Sequence, residues 1–427
     1  AFGYQALAAN TTGSSNVGVG NSALKSNTTA NNNTAIGFQA LSANTTGGNL
    51  TALGFKALEA NTTGANNIAI GVNALLTNTT ASTNIAIGVN ALDANNGNNN
   101  IAIGYDALTA NTTGAENIAL GYQALKANTT AATNIAIGYI ALSSNTTGTY
   151  NTALGAYALR DNTTTNLNTA VGYAALKENE AAENTAVGVN CLQLNTTGAG
   201  HAAIGYNALG SNTTGNYNTA VGRYALLSNT TASENTAVGY QAMSANTTGA
   251  KNTAVGLNAL DANTTGYRNT TIGYNSQTNS TTGNNNTTCG ADTMVSLSTG
   301  HDNTAIGAFT LNSISTGNLN VGVGNSALKA NTTGAHNTAL GYNALAANTT
   351  TSYNTAVGHR ALEANTQSGN TAVGFNALLA NTTGQQNVSI GYESLDANTT
   401  GQYNTAVGYN VLSAVTTGER NTAMGRH

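Results

Sequence analysis

Histidine, cysteine and carboxylate side chains are where chemistry would start, and in this chain they are few and scattered. The five histidines, His201, His301, His336, His359 and His427, fall at unrelated spacings and make no metal-ligand pattern, so they read as solvated or turn residues. The 16 Asp and Glu residues show no recurring pair for general acid and base work. No Gly-x-Ser-x-Gly elbow, Cys/His pairing or GxxxxGK[ST] loop occurs, and the GVGNSALK copies at Gly18 and Gly322 sit in phase with the rest of the chain. The expectation is a protein with no catalytic residue, no metal and no cofactor. Asn-Thr-Thr is the one motif with chemical meaning that recurs, at Asn10, Asn27, Asn44, Asn61 and many later places, and each copy is formally an N-glycosylation acceptor.

That motif belongs to a larger unit, seen whole in Asn252 to Arg268, NTAVGLNALDANTTGYR. Its fifth residue, Gly256, has equivalents from Gly3 to Gly425 at intervals of 17 residues, except for three of 16 that end at Gly104, Gly188 and Gly374. Numbered from its first Asn, the unit reads N-T-A-[VIL]-G-Y-x-A-L-x-A-N-T-T-G-x-x. The short units lose their residue in the NTTG region, which marks that region as an outward turn. An unbroken period overrides the usual inference of two or three domains from 427 residues, so residues 1–427 read as one repeat array. A degenerate section covers 274–317, where Ser276 and Gln277 replace Ala-Leu and position 12 becomes Ser280, Leu297 and Ile314. Drift or a changed local contact accounts for it better than a ligand site.

Position 4 is always apolar and position 9 is Leu almost throughout, so both columns are expected in the core: Ile36 with Leu41, Ile70 with Leu75, Val255 with Leu260. Positions 1 to 6 alternate like a strand, with Thr, the apolar residue and Tyr on one face and Ala and Gly on the other. Gly at position 5 and the NTTG breaker leave too few residues per unit for two helices. The fold predicted is all-β, a parallel β-solenoid with one rung per 17-residue repeat and about 25 rungs. At about 4.8 Å per rung this makes a rod about 120 Å long.

Stacking explains the asparagines. Position 12 is Asn in 21 of 25 units, and position 1 departs from Asn only at Leu50 and His201. An Asn side chain both donates and accepts, so identical residues one rung apart can form a ladder; Asn44, Asn61, Asn263 and Asn348 at position 12, and Asn252 and Asn337 at position 1, are the expected ladder residues. Laddered amides are unavailable to a sugar, and glycans on successive rungs would collide. Asn at position 12 and Gly266 at position 15 also suit a left-handed turn.

Composition excludes several function classes. Charged residues are 7% and the net charge is −4, which gives nucleic acid and anionic membranes nothing to hold. No run of 18 apolar residues exists, so no membrane insertion is expected. Charges at position 10, such as Lys25, Glu59 and Asp93, mix signs as a solvated face does. Cys191 and Cys289 fall in the small position-8 and apolar position-4 columns and read as buried residues six units apart, beyond disulfide reach. The chain starts and stops in mid-unit, which reads as a processed or incompletely traced piece of a longer product. Two large side chains per rung bury little against the entropy of ordering 17 residues, so rung-to-rung hydrogen bonds and partner chains are expected to contribute.

The N-[ST]-x-[AIV]-G element with a following Ala, once per rung, resembles the head repeats of YadA-like trimeric autotransporter adhesins. The 17-residue NTAVGYxALxANTTG form resembles repeat regions of bacterial and phage tail-fibre-like proteins more closely still, across essentially the whole chain. The resemblance implies a left-handed parallel β-roll, three chains about one axis and an extracellular fibrous role. The leading expectation is a structural extracellular fibre whose rods stack end to end, with copies of itself as partners. The alternatives are an adhesin or tail-fibre shaft that recognises a cell-surface or glycan receptor, and ice binding through the threonines of positions 13 and 14 (Thr264 and Thr265).

Overall fold

The computed structural model describes residues 1–426; His427, read above as a solvated residue, lies outside them. The chain comprises two compact units, Ala1–Thr214 and Gly215–His427, and the repeat phase of the sequence runs through their boundary unchanged. Each unit is a parallel β-solenoid. The first carries strands β1 (Val17–Val19) to β12 (Ala202–Ile204), and the second β13 (Thr219–Val221) to β25 (Thr422–Met424). Every strand is three residues long, positions 2 to 4, shorter than the six-residue segment the alternation predicts. The glycine at position 5 ends it by turning the backbone to φ near +140°, as at Gly256.

Neighbouring strands pair in parallel with equivalent residues opposite one another, as in Thr51↔Ile68, Ala52↔Ala69 and Leu53↔Ile70. Register survives the short units: Ile85 still faces Ile101, because the missing residue is absorbed in the turn at Asn96–Asn98. Backbone bonds between rungs continue well beyond the strand. Thr51 N–H donates to Asn67 O (3.0 Å), Gly54 to Ile36 O (2.9 Å), Leu41 to Ala57 O (2.9 Å), Ala43 to Glu59 O (3.0 Å) and Thr45 to Thr62 O (3.0 Å). One rung therefore satisfies the next around most of its circumference.

The core differs from the sequence expectation. Leu41, Leu75 and Leu260 are fully buried, as are the alanines of positions 3 and 8, but the position-4 column points outward: Ile36 is exposed, and Val255 and Ile70 are only half-buried. Alternation puts positions 3 and 4 on opposite faces, so only one can face in. The two walls leave little room on the strand, where the largest inward residues are Thr271 and Thr288. Cys191 Sγ at position 8 lies 3.3 Å from Ala203 O at position 3, and Ser394 Oγ lies 3.3 Å from Ala406 O. Alanine fits that gap, so the strand turns its alanine inward and its Val, Ile or Leu outward.

Left-handed backbone is also placed differently. Neither Asn263 nor Gly266 has positive φ; it occurs at positions 7, 9 and 17, as in Asn258 (54°), Leu260 (54°) and Arg268 (56°). A buried leucine in this region is held by both its peptide groups: Leu125 N–H donates to Ala141 O (3.1 Å) and its carbonyl accepts from Asn128 N–H (3.1 Å). Position 9 is Leu, Met or once Gln277 in every unit and never branched at Cβ, which is the substitution pattern that a positive φ imposes. Leu125→Ile is therefore expected to cost about 2–3 kcal/mol, combining backbone strain with a shape change. Leu125→Met, with the same φ and similar volume, is expected to cost under about 1.5 kcal/mol. Urea unfolding of the two variants side by side checks the pair, and equal losses would contradict the backbone argument.

Candidate functional site

Two sets of stacked columns run through each unit, one buried and polar, one outward and apolar. The buried set is the asparagine ladders. At position 12, Asn44 Nδ2 donates to Asn27 Oδ1 (3.0 Å) and to Gly47 O (3.0 Å), and Asn61 Nδ2 to Asn44 Oδ1 (2.9 Å) and Gly64 O (3.0 Å). Asn263 repeats this with Asn246 (2.7 Å) and Gly266 O (3.0 Å), and Asn348 with Asn331 (3.1 Å) and Thr351 O (3.1 Å). Position 1 makes a different ladder, from side chain to backbone. Asn252 N–H donates to Asn235 Oδ1 (2.9 Å) while Asn252 Nδ2 donates to Gly266 O (2.8 Å); Asn337 does the same with Asn320 Oδ1 (3.1 Å) and Thr351 O (2.8 Å). All six residues are fully buried. With both amide hydrogens committed and no solvent access, the Asn-Thr-Thr asparagines of position 12, Asn44, Asn61, Asn263 and Asn348, cannot receive a sugar in the folded chain.

The ladder has a break that the sequence places but does not explain. At Ser280 the position-12 series stops, leaving Asn263 Oδ1 buried without a hydrogen-bond partner. Across this rung and the next two the polar and apolar positions trade places. Leu297 and Ile314 join a core with Met294, while Ser276, Gln277, Thr271 and Thr288 form a buried polar cluster. There Thr271 Oγ1 donates to Gln277 Oε1 (2.8 Å) and Ser276 Oγ to Thr288 Oγ1 (2.8 Å). The degenerate section is thus internally repacked and hydrogen-bonded.

The outward set comprises positions 2, 4 and 6. In the first unit five successive rungs present Ile68, Ile70 and Val72; Ile85, Ile87 and Val89; Ile101, Ile103 and Tyr105; Ile118, Leu120 and Tyr122; Ile135, Ile137 and Tyr139. Leu120 is 41% exposed and Tyr122 42%. The rings of Tyr105, Tyr122 and Tyr139 stack at 5.4 and 5.3 Å, and in the second unit Tyr342, His359, Phe375, Tyr392 and Tyr409 stack at 5.1–5.3 Å. Ring faces meet each other, so only ring edges reach solvent.

The threonines are less uniform than their repetition suggests. At position 13 the hydroxyl turns back to the next rung: Thr45 Oγ1 donates to Thr62 O (3.0 Å) and Thr264 Oγ1 to Thr281 O (3.0 Å). At position 14 Thr265 is exposed in the turn. Charges flank the apolar stripe in pairs such as Lys56–Glu59 (3.2 Å) and Lys251–Glu234 (3.8 Å), as a solvated face should.

The residues singled out for chemistry stay apart. Among the described residues no group of three or more His, Cys, Asp or Glu could hold a metal, and no helix is long and apolar enough to cross a membrane. His301, His336 and His359 are exposed, but His201 is buried in the position-1 column, its Nε2 3.2 Å from Asn212 Nδ2. Cys289, expected in the core, is exposed because position 4 faces outward; Cys191 is buried, and desolvation pushes its thiol up to about 12. Cys191 is accordingly expected to resist thiol reagents at pH 8 until its rung unfolds, which mass spectrometry of alkylated native and denatured protein checks. Compared with known proteins, the chain matches no family model and no curated sequence.

Proposed function

We propose that this chain is a structural fibre protein whose solenoid units add end to end into a filament or fibre shaft, acting outside the cell or on a cell or virion surface as the repeat's resemblance implies. The observation that supports axial assembly is the equivalence of the rungs. The bonds that join one rung to the next, Thr51 N–H to Asn67 O and Asn61 Nδ2 to Asn44 Oδ1 among them, recur along each unit. Any rung's axial face therefore offers the donors and acceptors that another copy's rung needs, as a sheet edge does for a further strand. A scaffold rather than an enzyme also fits the inventory of buried polar groups, which is dominated by amides already engaged with their neighbours.

Electron cryo-microscopy of the purified protein over a rising concentration series tests this reading. Filaments longer than one chain, with a layer spacing of about 4.8 Å, are expected. Dispersed short particles at high concentration would overturn it, and binding of such particles to cells or glycans would move the chain to the recognition proteins.

A further inference from the structure

The apolar stripe is a second contact surface, lateral rather than axial. Across positions 2 to 6 it is about 13 Å wide, and along the 12 rungs of the first unit about 58 Å long, from strand rise and spacing. That is on the order of 750 Å², near the roughly 800 Å² per partner of a stable interface, with rungs 68–139 apolar at all three positions. Position 4 is apolar throughout, while position 2 is Ile or Val in some rungs and Thr in most. Positions 2 and 4 carry no charged residue in any unit, and position 6 has only Arg223, His359 and Arg426 as basic departures.

We infer that each unit's stripe packs against the same stripe of a second copy of this chain, the two running parallel with equivalent rungs at one level. The surface itself selects that partner. Its side chains form ridges repeating at the rung spacing, seen directly in the ring stacks at 5.1–5.4 Å. A partner that interdigitates over a dozen ridges must carry the same period, or its side chains fall out of step within a few rungs. A solenoid of this repeat has that period. Equivalent rungs at one level also set position 4 against position 4 and the aromatic edges of position 6 over the partner's position 2, so the Ile rungs 68–137 meet each other. A sugar would need open ring faces, which are occupied within the Tyr105–Tyr139 and Tyr342–Tyr409 stacks, so a glycan is the poorer fit there.

The inference rests on the fibre reading but concerns width rather than length, so the two fail separately. Sedimentation equilibrium of the full chain, at concentrations below the onset of filaments, is expected to give at least a dimer. Leu120→Glu with Tyr122→Glu is expected to weaken association at least about tenfold, while Thr113→Glu on the exposed turn leaves it unchanged. Mild oxidation is expected to link copies through Cys289 on the second unit's stripe, and Leu120→Cys to do so on the first. A monomeric chain, or association that the stripe charges leave intact, overturns the inference. So does association without either cross-link, which would place unlike rungs together. Single-chain-wide filaments in the microscope would defeat it while leaving axial assembly standing. Uptake of the monomer by neutral lipid vesicles, abolished by the same charges, would assign the stripe to a membrane instead.

Discussion

Asn128→Asp is expected to destabilise the first unit by about 3–5 kcal/mol at pH 7, the scale of an uncompensated buried charge, and to recover much of that loss below about pH 4. Asn128 is fully buried; its Nδ2 donates to Asn111 Oδ1 (2.9 Å) and Ala131 O (3.1 Å), and its Oδ1 accepts from Asn145 Nδ2 (3.0 Å). The substitution keeps the volume and replaces the donor by an oxygen aimed at two acceptors. The carboxylate is then unpaired on that side, so its folded pKa rises above the unfolded value of about 3.9. A raised folded pKa means the penalty is absent below the unfolded pKa and grows as pH rises towards the folded one. Protonation restores one hydrogen of the two that the amide supplied, so recovery is incomplete. Guanidinium midpoints of the variant and the parent chain, compared at pH 3.5 and pH 7, read this directly. A variant as stable as the parent at pH 7 would mean the amide ladder does not hold the rungs together.

The same residues show how far the sequence could be read. One rung per unit, the outward NTTG turn and both asparagine columns were legible, because a ladder needs one residue type at one phase and Asn alone recurs that way. The orientation of the strand was not. Val, Ile and Leu at position 4 look like core by residue type, yet the inward strand position of a 17-residue rung holds alanine and nothing larger than threonine. The usable signal was tolerance rather than hydrophobicity. Position 4 accepts Phe2, Leu53, Val255, Cys289 and Met424, sizes that no narrow core would exchange, whereas position 3 is only Ala, Gly18, Gly322, Ser389, Thr271 or Thr288. The absence of Cβ branching at position 9 likewise announced the left-handed leucine. The lateral stripe follows from that inversion, since what the strand cannot bury in its own chain is left facing outward. Within 274–317 the trade of polar for apolar positions depends on side chains that cross between columns, Gln277 towards Thr271, which a column-by-column reading does not contain.

Gly121→Ala should have the largest effect of any single-methyl change, about 4 kcal/mol or more, which core clashes and backbone strain reach together. Gly121 has φ +137°, and a Cβ there would lie 2.4 Å from Gly138 O, a backbone atom fixed by its own rung. The glycine cannot withdraw, because its N–H donates to Ile103 O (2.8 Å) on the other side. Gly114, at position 15 of the preceding repeat, is the control. A Cβ there would come still closer to a backbone oxygen, 2.2 Å from Ala131 O, but the Gly114 backbone is not left-handed, and Ala81 and Ala131 occupy the equivalent place in rungs whose strands keep their register. Gly114→Ala is therefore expected to cost under about 2 kcal/mol, the range of modest overpacking. Because each rung contacts only its neighbours, the Gly121 change should melt the rungs around it first. Hydrogen exchange would show early loss of protection near Ile103 and Ile137, with distant rungs still closed. If the two alanine variants unfold at the same denaturant concentration, the positive φ at position 5 is not what excludes a side chain there, and the glycine column would need another explanation.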